Sequence, residues 1–366
     1  MGSIAENNTD DGNGTTYFAF PEPEPKLEIA FTMTFITVLG LFGNISIIFI
    51  ILRHSKMRTT TNLLVANLAI GDLLFFIFHS PLHLYYYFTL SFPFSSVMCK
   101  VSVFAQYACE GVSVYTLTAL SIERYQAIVR PMQFHTSGTP YRTIIITAII
   151  WFLALMGGSP TLGMAEWVPW FLDYSVCQPL PHHTHSAKVF KLINFLITFV
   201  LPMIIISLFY SLTALQLMRS VRAPKSGVHA QCGEAQRKSR MKLALVVLSL
   251  VVGFVVCWLP FYIYELWFEF GFSIQVFNKP SVVGFGWWRF PIMYLSSCIN
   301  PIILYTISST YRNYFYRHFC CVVRLLQKKS PEPISMTLPS GQTRLSDQAK
   351  TGASDGSGSY AATTRV

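Results

Sequence analysis

The sequence predicts an all-α membrane protein, a bundle of seven transmembrane helices followed by a short amphipathic cytoplasmic helix eight. Three observations carry this. Of 366 residues, 12% are charged and 52% hydrophobic, with a mean hydropathy of +0.45, whereas a soluble domain carries about 25% charged residues. Seven stretches reach the roughly 20 mostly apolar residues that cross about 30 Å of hydrocarbon. Lys and Arg crowd alternate connections, as they do on the cytoplasmic side of a membrane.

Residues 1–28 read as an outer tail. It is acidic, with Glu6, Asp10, Asp11, Glu22, Glu24 and Glu28 against Lys26, and ends in the extended run PEPEP. It shows neither the basic n-region nor the apolar h-region of a cleavable signal, so the first span is expected to start translocation. Asn7 and Asn13 head Asn-X-Thr glycosylation sequons on this outer side. The seven-span domain covers residues 29–307. Its spans lie near 29–52, 63–88, 98–122, 143–163, 189–217, 242–268 and 282–307. The third and seventh are the least apolar, interrupted by Gln106, Glu110, Arg289 and Asn300.

Arg53, Lys56 and Arg58 follow span one, Arg130 and Arg142 follow span three, and seven Lys and Arg from Arg219 to Lys242 follow span five. Arg312, Arg317, Arg324, Lys328 and Lys329 follow span seven. These segments face the cytoplasm, and the N-terminus lies outside. The net charge of +10 is therefore topological. No interleaving of aromatic and basic residues marks a nucleic-acid groove. Residues 308–321 form helix eight, SSTYRNYFYRHF followed by Cys320-Cys321, a juxtamembrane pair placed for palmitoylation. Residues 322–366 form a Ser/Thr/Gly-rich tail expected to be disordered. Its Thr364-Arg365-Val366 matches the pattern that PDZ domains bind by strand addition. Cys99 and Cys177 fall at outer ends, in the oxidising compartment, and are expected to form a disulfide. Cys109, Cys257 and Cys298 are expected to pack inside the membrane, and no Cys/His spacing points to a metal.

Ionisable groups inside a bilayer are costly and face a bundle interior or a wet path. Asn44, Asp72, Glu110 and Asn300 sit mid-span in four different helices, which predicts a shared polar core. Pro81, Pro160, Pro202, Pro260 and Pro301 each interrupt a hydrophobic run. Each removes a backbone hydrogen bond, and together they predict kinks that open a cavity.

With these residues in place, the chain resembles the rhodopsin-like (class A) G-protein-coupled receptors over about residues 30–321. The resemblance rests on Gly43-Asn44, LAIGD ending at Asp72, Cys99, Glu123-Arg124-Tyr125, Trp151, Pro202 with Tyr210, Cys257-Trp258-Leu259-Pro260, and Asn300-Pro301 with Tyr305. It implies that Arg124 meets the G protein in the active state and pairs with Glu123 when idle. Tyr210 and Tyr305 would swing toward Arg124 on activation. Trp258 would relay ligand binding to span six, and Val114, Pro202 and Phe254 would form the core that repacks. Asp72, Ser113, Ser297 and Asn300 match positions at which the family holds an allosteric sodium ion; no other cofactor is implied. Heterotrimeric G protein, arrestin and membrane lipid are the implied partners, and the plasma membrane the implied location. One departure stands out: many members carry an acid at the base of span six that locks the Arg, and this chain has Arg240. Glu123 would hold Arg124 alone, and basal activity is expected to be higher.

The stretch from Cys99 to Ser121 and the exit of span seven resemble peptide receptors of the bombesin and endothelin type. Amine receptors place an Asp where this chain has Gln106, so an amine ligand loses its counter-ion. Glu110 lies one turn deeper on the same face and has two readings, a partner for a ligand cation or an internal hydrogen bond. The expected pocket mouth holds Gln106, Lys188, Lys191, Glu265, Glu269, Trp288 and Arg289, a mixture of charge and aromatic surface that suits an extracellular peptide. Residues 163–187 are long enough for a hairpin lid. A class A receptor for a lipid or other small molecule is the alternative, and it predicts a closed apolar mouth. A secondary transporter would show internal repeats, a retinal protein needs a Lys in span seven below Arg289, and no nucleophile–base pair or phosphate loop supports an enzyme.

Overall fold

The computed structural model describes residues 26–92, 94–129, 140–169, 175–181, 183–222, 229–271, 276 and 279–319, without the side chains of Pro140, Pro169, 217–222 and 229–240. Asn7, Asn13, Cys320, Cys321, Thr364, Arg365 and Val366 lie outside the described residues, as does the side chain of Arg240.

Span one is the helix Leu27–Arg53. Its buried residues Met33, Ile36, Gly40, Gly43, Asn44, Ile47 and Ile50 recur at helical spacing, while Phe31, Phe35, Val38, Phe42 and Phe49 point outward. That outward face is apolar, as a lipid-facing surface is. Gly43 lets spans one and seven approach: a Cβ there would stand 2.6 Å from Pro301 Cγ. Asn44 fixes the contact by donating to the Gly40 carbonyl at 2.9 Å and the Ser297 carbonyl at 3.0 Å.

Span two is divided. Thr60–Phe78 is capped by the Thr59 hydroxyl, which accepts from Asn62 N, and a second helix, Ser80–Thr89, follows His79. Pro81 sits at the start of this second helix, where a missing N–H costs least. Span three, Ser96–Val129, is buried along most of its length, from Cys99 to Ala127. Its polar content follows from that position, because its neighbours are other helices. Among the described residues, six helical stretches are long and apolar enough to cross a membrane by length and composition. Span three is the seventh helix of the bundle, and Gln106, Glu110, Glu123 and Arg124 lower its hydropathy.

Span four is Pro140–Gly158, ended by Ser159-Pro160, with a short turn of helix at Thr161–Met164. Span five runs His185–Phe195, then a π-helical turn Leu196–Val200, then Leu201–Arg222. Pro202 has no N–H for the carbonyl of Thr198, and the chain widens there by one turn. Span six is His229–Phe270 with Pro260 inside. Span seven is Pro280–Ile307 with Pro291 and Pro301 inside, and the amphipathic helix Ser309–Phe319 follows.

Between spans four and five, strands β1 (Glu166–Pro169) and β2 (Ser175–Gln178) pair antiparallel, with Trp167 opposite Cys177. This is the expected hairpin lid. The Cys99–Cys177 disulfide joins it to the top of span three. The Trp167 indole donates to the Phe92 carbonyl at 2.9 Å, and Phe92 N donates to the Ser175 carbonyl at 2.6 Å. The lid is therefore tied to both span three and the loop that joins spans two and three.

Candidate functional site

A cavity of about 410 Å³ opens beneath the hairpin, between spans two, three, five, six and seven. Its lining divides by chemistry. On one side Lys191, Glu265 and Arg289 form an ionic network with Glu269. Lys191 Nζ lies 2.8 Å from both Glu265 Oε2 and Glu269 Oε1. Arg289 meets Glu265 Oε1 at 3.2 Å, donates to the Gly286 carbonyl, and stacks over Tyr264 at 4.2 Å and Phe290 at 4.1 Å. Glu265 and Glu269 lie four residues apart on span six, so both carboxylates share a helix face and converge on span five. Lys191 and Arg289 thus meet the two acids across spans five, six and seven.

On the other side the lining is aromatic: His79, His83, Tyr86 and Tyr87 from span two face Trp287 and Phe290 from span seven. Gln106 lies between the two sides, with its amide 3.7 Å from Met293 Sδ.

Of the residues expected at the pocket, Gln106, Lys191, Glu265 and Arg289 line this cavity. Glu269 stands behind Lys191 and accepts from His183 N at 3.0 Å. Lys188 projects over the Phe270 ring, 6.0 Å from its centroid. Trp288 is 41% exposed and turned away; its neighbour Trp287 faces the cavity instead. Trp258 is buried, stacked on Phe254 at 5.8 Å, and donates to Ser296 Oγ at 3.1 Å. The four span-two residues, Tyr264, Trp287 and Phe290 were not foreseen.

Glu110 does not line the cavity. It is 2% exposed and closes a clasp of three helices. Its Oε1 accepts from the Tyr262 hydroxyl of span six and lies 3.2 Å from Thr198 Oγ1 of span five. Thr198 Oγ1 is also 2.6 Å from Tyr262 Oη, and Asn194 Nδ2 donates to that phenol at 3.2 Å. Thr198 belongs to the π-helical turn, which aims its hydroxyl at span three. Of the two readings of Glu110, this geometry fits the internal one.

Asp72 and Asn300 do meet: Asn300 Nδ2 donates to Asp72 Oδ2 at 2.8 Å. At the end of span three away from the disulfide, Arg124 Nη2 lies 3.4 Å from Glu123 Oε2. Thr61 of span two, not foreseen, donates to Glu123 Oε1 at 2.8 Å. Tyr125 packs edge-on against Phe209 at 5.2 Å. Tyr210 donates to the Ala244 carbonyl at 3.0 Å, and Tyr305 Oη shares a hydrogen bond of 2.7 Å with Ser46 Oγ.

Comparison with known proteins agrees with this geometry. A family profile described as "7 transmembrane receptor (rhodopsin family)" matches residues 43–304. The neuropeptide CCHamide-1 receptor of Drosophila melanogaster is 34% identical over 313 residues, 80% of this chain and 60% of that protein. A bombesin receptor of Bombina orientalis is 29% identical over 329 residues, 87% of this chain and 81% of that protein. The match thus spans less than two thirds of the Drosophila receptor's length.

Proposed function

The chain belongs to the rhodopsin family of seven-transmembrane receptors, and from that premise we propose that it is a G-protein-coupled receptor for an extracellular peptide. The observation that carries the ligand class is the divided cavity. A peptide supplies backbone amides, charged groups and rings together, and the cavity offers an ionic side, an aromatic side and the Gln106 amide between them. A lipid's hydrocarbon tail has no use for the ionic lining of Lys191, Glu265 and Arg289, and a small amine finds Gln106 where its carboxylate partner would stand. Both relatives are named as receptors of peptides, which supports the same reading.

The receptor sits in the plasma membrane with its N-terminus outside, its tail glycosylated at Asn7 and Asn13. Cys320 and Cys321 carry palmitate that anchors helix eight in lipid. Heterotrimeric G protein and arrestin engage the inner face at Arg124, and Thr364-Arg365-Val366 engages a PDZ-domain protein. In the arrangement described, Glu123 holds Arg124 while Tyr210 and Tyr305 bond elsewhere, which is the idle state. Thr61 orients Glu123 and takes over part of the restraint that Arg240 does not provide.

The test is a peptide-library screen on cells reporting calcium and cyclic AMP. A peptide that signals through the wild type should still bind Arg124→Ala at the surface, with its signal reduced at least tenfold. Loss of surface binding in that variant, or responses confined to fatty acids or amines, would overturn the assignment.

Asp72 is 1% exposed and accepts from Asn300 Nδ2, and its carboxylate with the hydroxyls of Ser113 and Ser297 is a donor set that suits a hard monovalent cation. We place the allosteric sodium site there. Sodium chloride should weaken agonist binding to the wild type more than choline chloride does at equal ionic strength. Asp72→Asn should remove that difference. An unchanged sodium effect in Asp72→Asn would exclude the site.

A further inference from the structure

The span-two wall of the cavity has chemistry of its own. Span two runs from the cytoplasmic to the outer side, so His79 is the deepest of its lining residues. Its Nδ1 lies 3.2 Å from the Ser102 carbonyl oxygen and 3.1 Å from Ser102 Oγ. A carbonyl only accepts, so donation from Nδ1 is what satisfies this contact, with the Ser102 hydroxyl as a second acceptor beside it, and in that tautomer Nε2 keeps a lone pair. Nε2 is buried and has no hydrogen-bond partner, and the residue is 5% exposed. Rings surround it: Phe75 stacks on the imidazole at 5.2 Å, and His83 and Tyr294 lie at 5.0 and 5.9 Å. Buried acceptors in native proteins are ordinarily satisfied, so a solitary one beside a cavity calls for a donor from outside the fold.

The surroundings restrict that donor. A carboxylate brings only lone pairs and cannot bond Nε2. A cation meets Arg289, whose guanidinium lies over Phe290, which in turn packs edge-on against His83 at 4.6 Å. What fits is an uncharged group with an N–H or O–H, flat enough to lie among rings that favour stacked or edge-on contacts. We propose that the span-two wall is a subsite for a neutral aromatic donor of the ligand, an indole or phenol ring, whose N–H or O–H bonds to His79 Nε2. The proposal rests on the receptor reading of the cavity and assigns a chemistry to one part of it.

Fragments test this without the natural ligand. Purified full-length receptor is melted with millimolar indole, 1-methylindole, phenol or anisole. Indole or phenol should raise the melting temperature by about 2 °C, and its methylated counterpart, which keeps the ring and loses the donor, by less than half of that. Which parent ring gives the larger contrast identifies the ligand group. In His79→Phe, which keeps a ring and loses the acceptor, the contrast should vanish. Equal shifts from parent and methylated rings, no shift from either parent, or a contrast that survives His79→Phe overturns the proposal. The methyl contrast stands on the wild type alone if the variant does not fold. Failure of the fragments leaves the peptide screen untouched, and failure of that screen leaves the fragment contrast readable.

Discussion

Replacing Lys191 with Met should destabilise the protein by on the order of 3 kcal/mol, the cost of removing one partner from a buried ion pair. The Lys191 side chain is 6% exposed, and its ammonium lies 2.8 Å from a carboxylate oxygen of each of two acids. Glu265 keeps Arg289 at 3.2 Å when the ammonium goes. Glu269 is the acid most affected, because its side chain is 0% exposed and its Oε1 lies 2.8 Å from the lost ammonium. The His183 backbone N–H stays on Oε2, with the His183 imidazole Nδ1 4.0 Å away, and loss of an ammonium contact at 2.8 Å is costly in a site shielded from water. Melting of the purified receptor in detergent should fall by roughly 5–10 °C. Glu269→Gln in the same molecule should restore more than half of the loss, since the amide fills the space without a charge to desolvate. The two substitutions are therefore expected to be strongly non-additive. A Lys191→Met protein that melts with the wild type, or a double variant whose loss is the sum of the two singles, would show that the network carries no such energy.

The helices were legible because lipid forces them: a chain that crosses hydrocarbon must satisfy its own backbone. The polar residues of span three were legible for the converse reason. Gln106, Glu110, Glu123 and Arg124 break a rule whose cost is high, so each marks a position buried among other helices. The disulfide followed from compartment, and the ionic side of the cavity from charge, since Lys191, Glu265 and Arg289 had to find one another or water. The aromatic side was not legible. Which face of span two looks inward depends on how the break at His79 and Pro81 resets its rotation, and composition does not encode that angle. Trp287 and Trp288 make the point on span seven: one residue is about 100° on a helix, enough to put one indole in the cavity and the other outside. Thr61, Asn194, Thr198 and Tyr262 were missed because neutral polar side chains are unremarkable in a helix until a neighbour supplies the carboxylate. The turn that aims Thr198 at Glu110 is a local consequence of Pro202 that no periodicity announces.

Glu110→Gln should raise basal signalling about five- to thirtyfold while leaving peptide affinity within a few-fold of the wild type. The clasp joins span three to spans five and six beside Trp258, whose ring lies 6.2 Å from that of Tyr262. A hydrogen bond to a carboxylate is roughly twice as strong as one between neutral groups, so the amide weakens the Tyr262 and Thr198 contacts by about 1–2 kcal/mol. If span six must part from span three for Arg124 to reach a G protein, this energy stabilises the idle state alone. The same 1–2 kcal/mol is then a factor of about 5–30 in the ratio of idle to active receptor. Tyr262→Phe removes the other half of the bond and should raise basal activity by a similar factor. The double variant should add little, because both changes break one interaction. The ligand-cation reading of Glu110 predicts the opposite pattern, with basal activity unchanged and affinity reduced a hundredfold or more as a buried charge pair is lost. Surface expression measured in parallel separates either pattern from misfolding. Unchanged basal output in both Glu110→Gln and Tyr262→Phe would show that the clasp persists through activation, and that it positions span five without restraining span six.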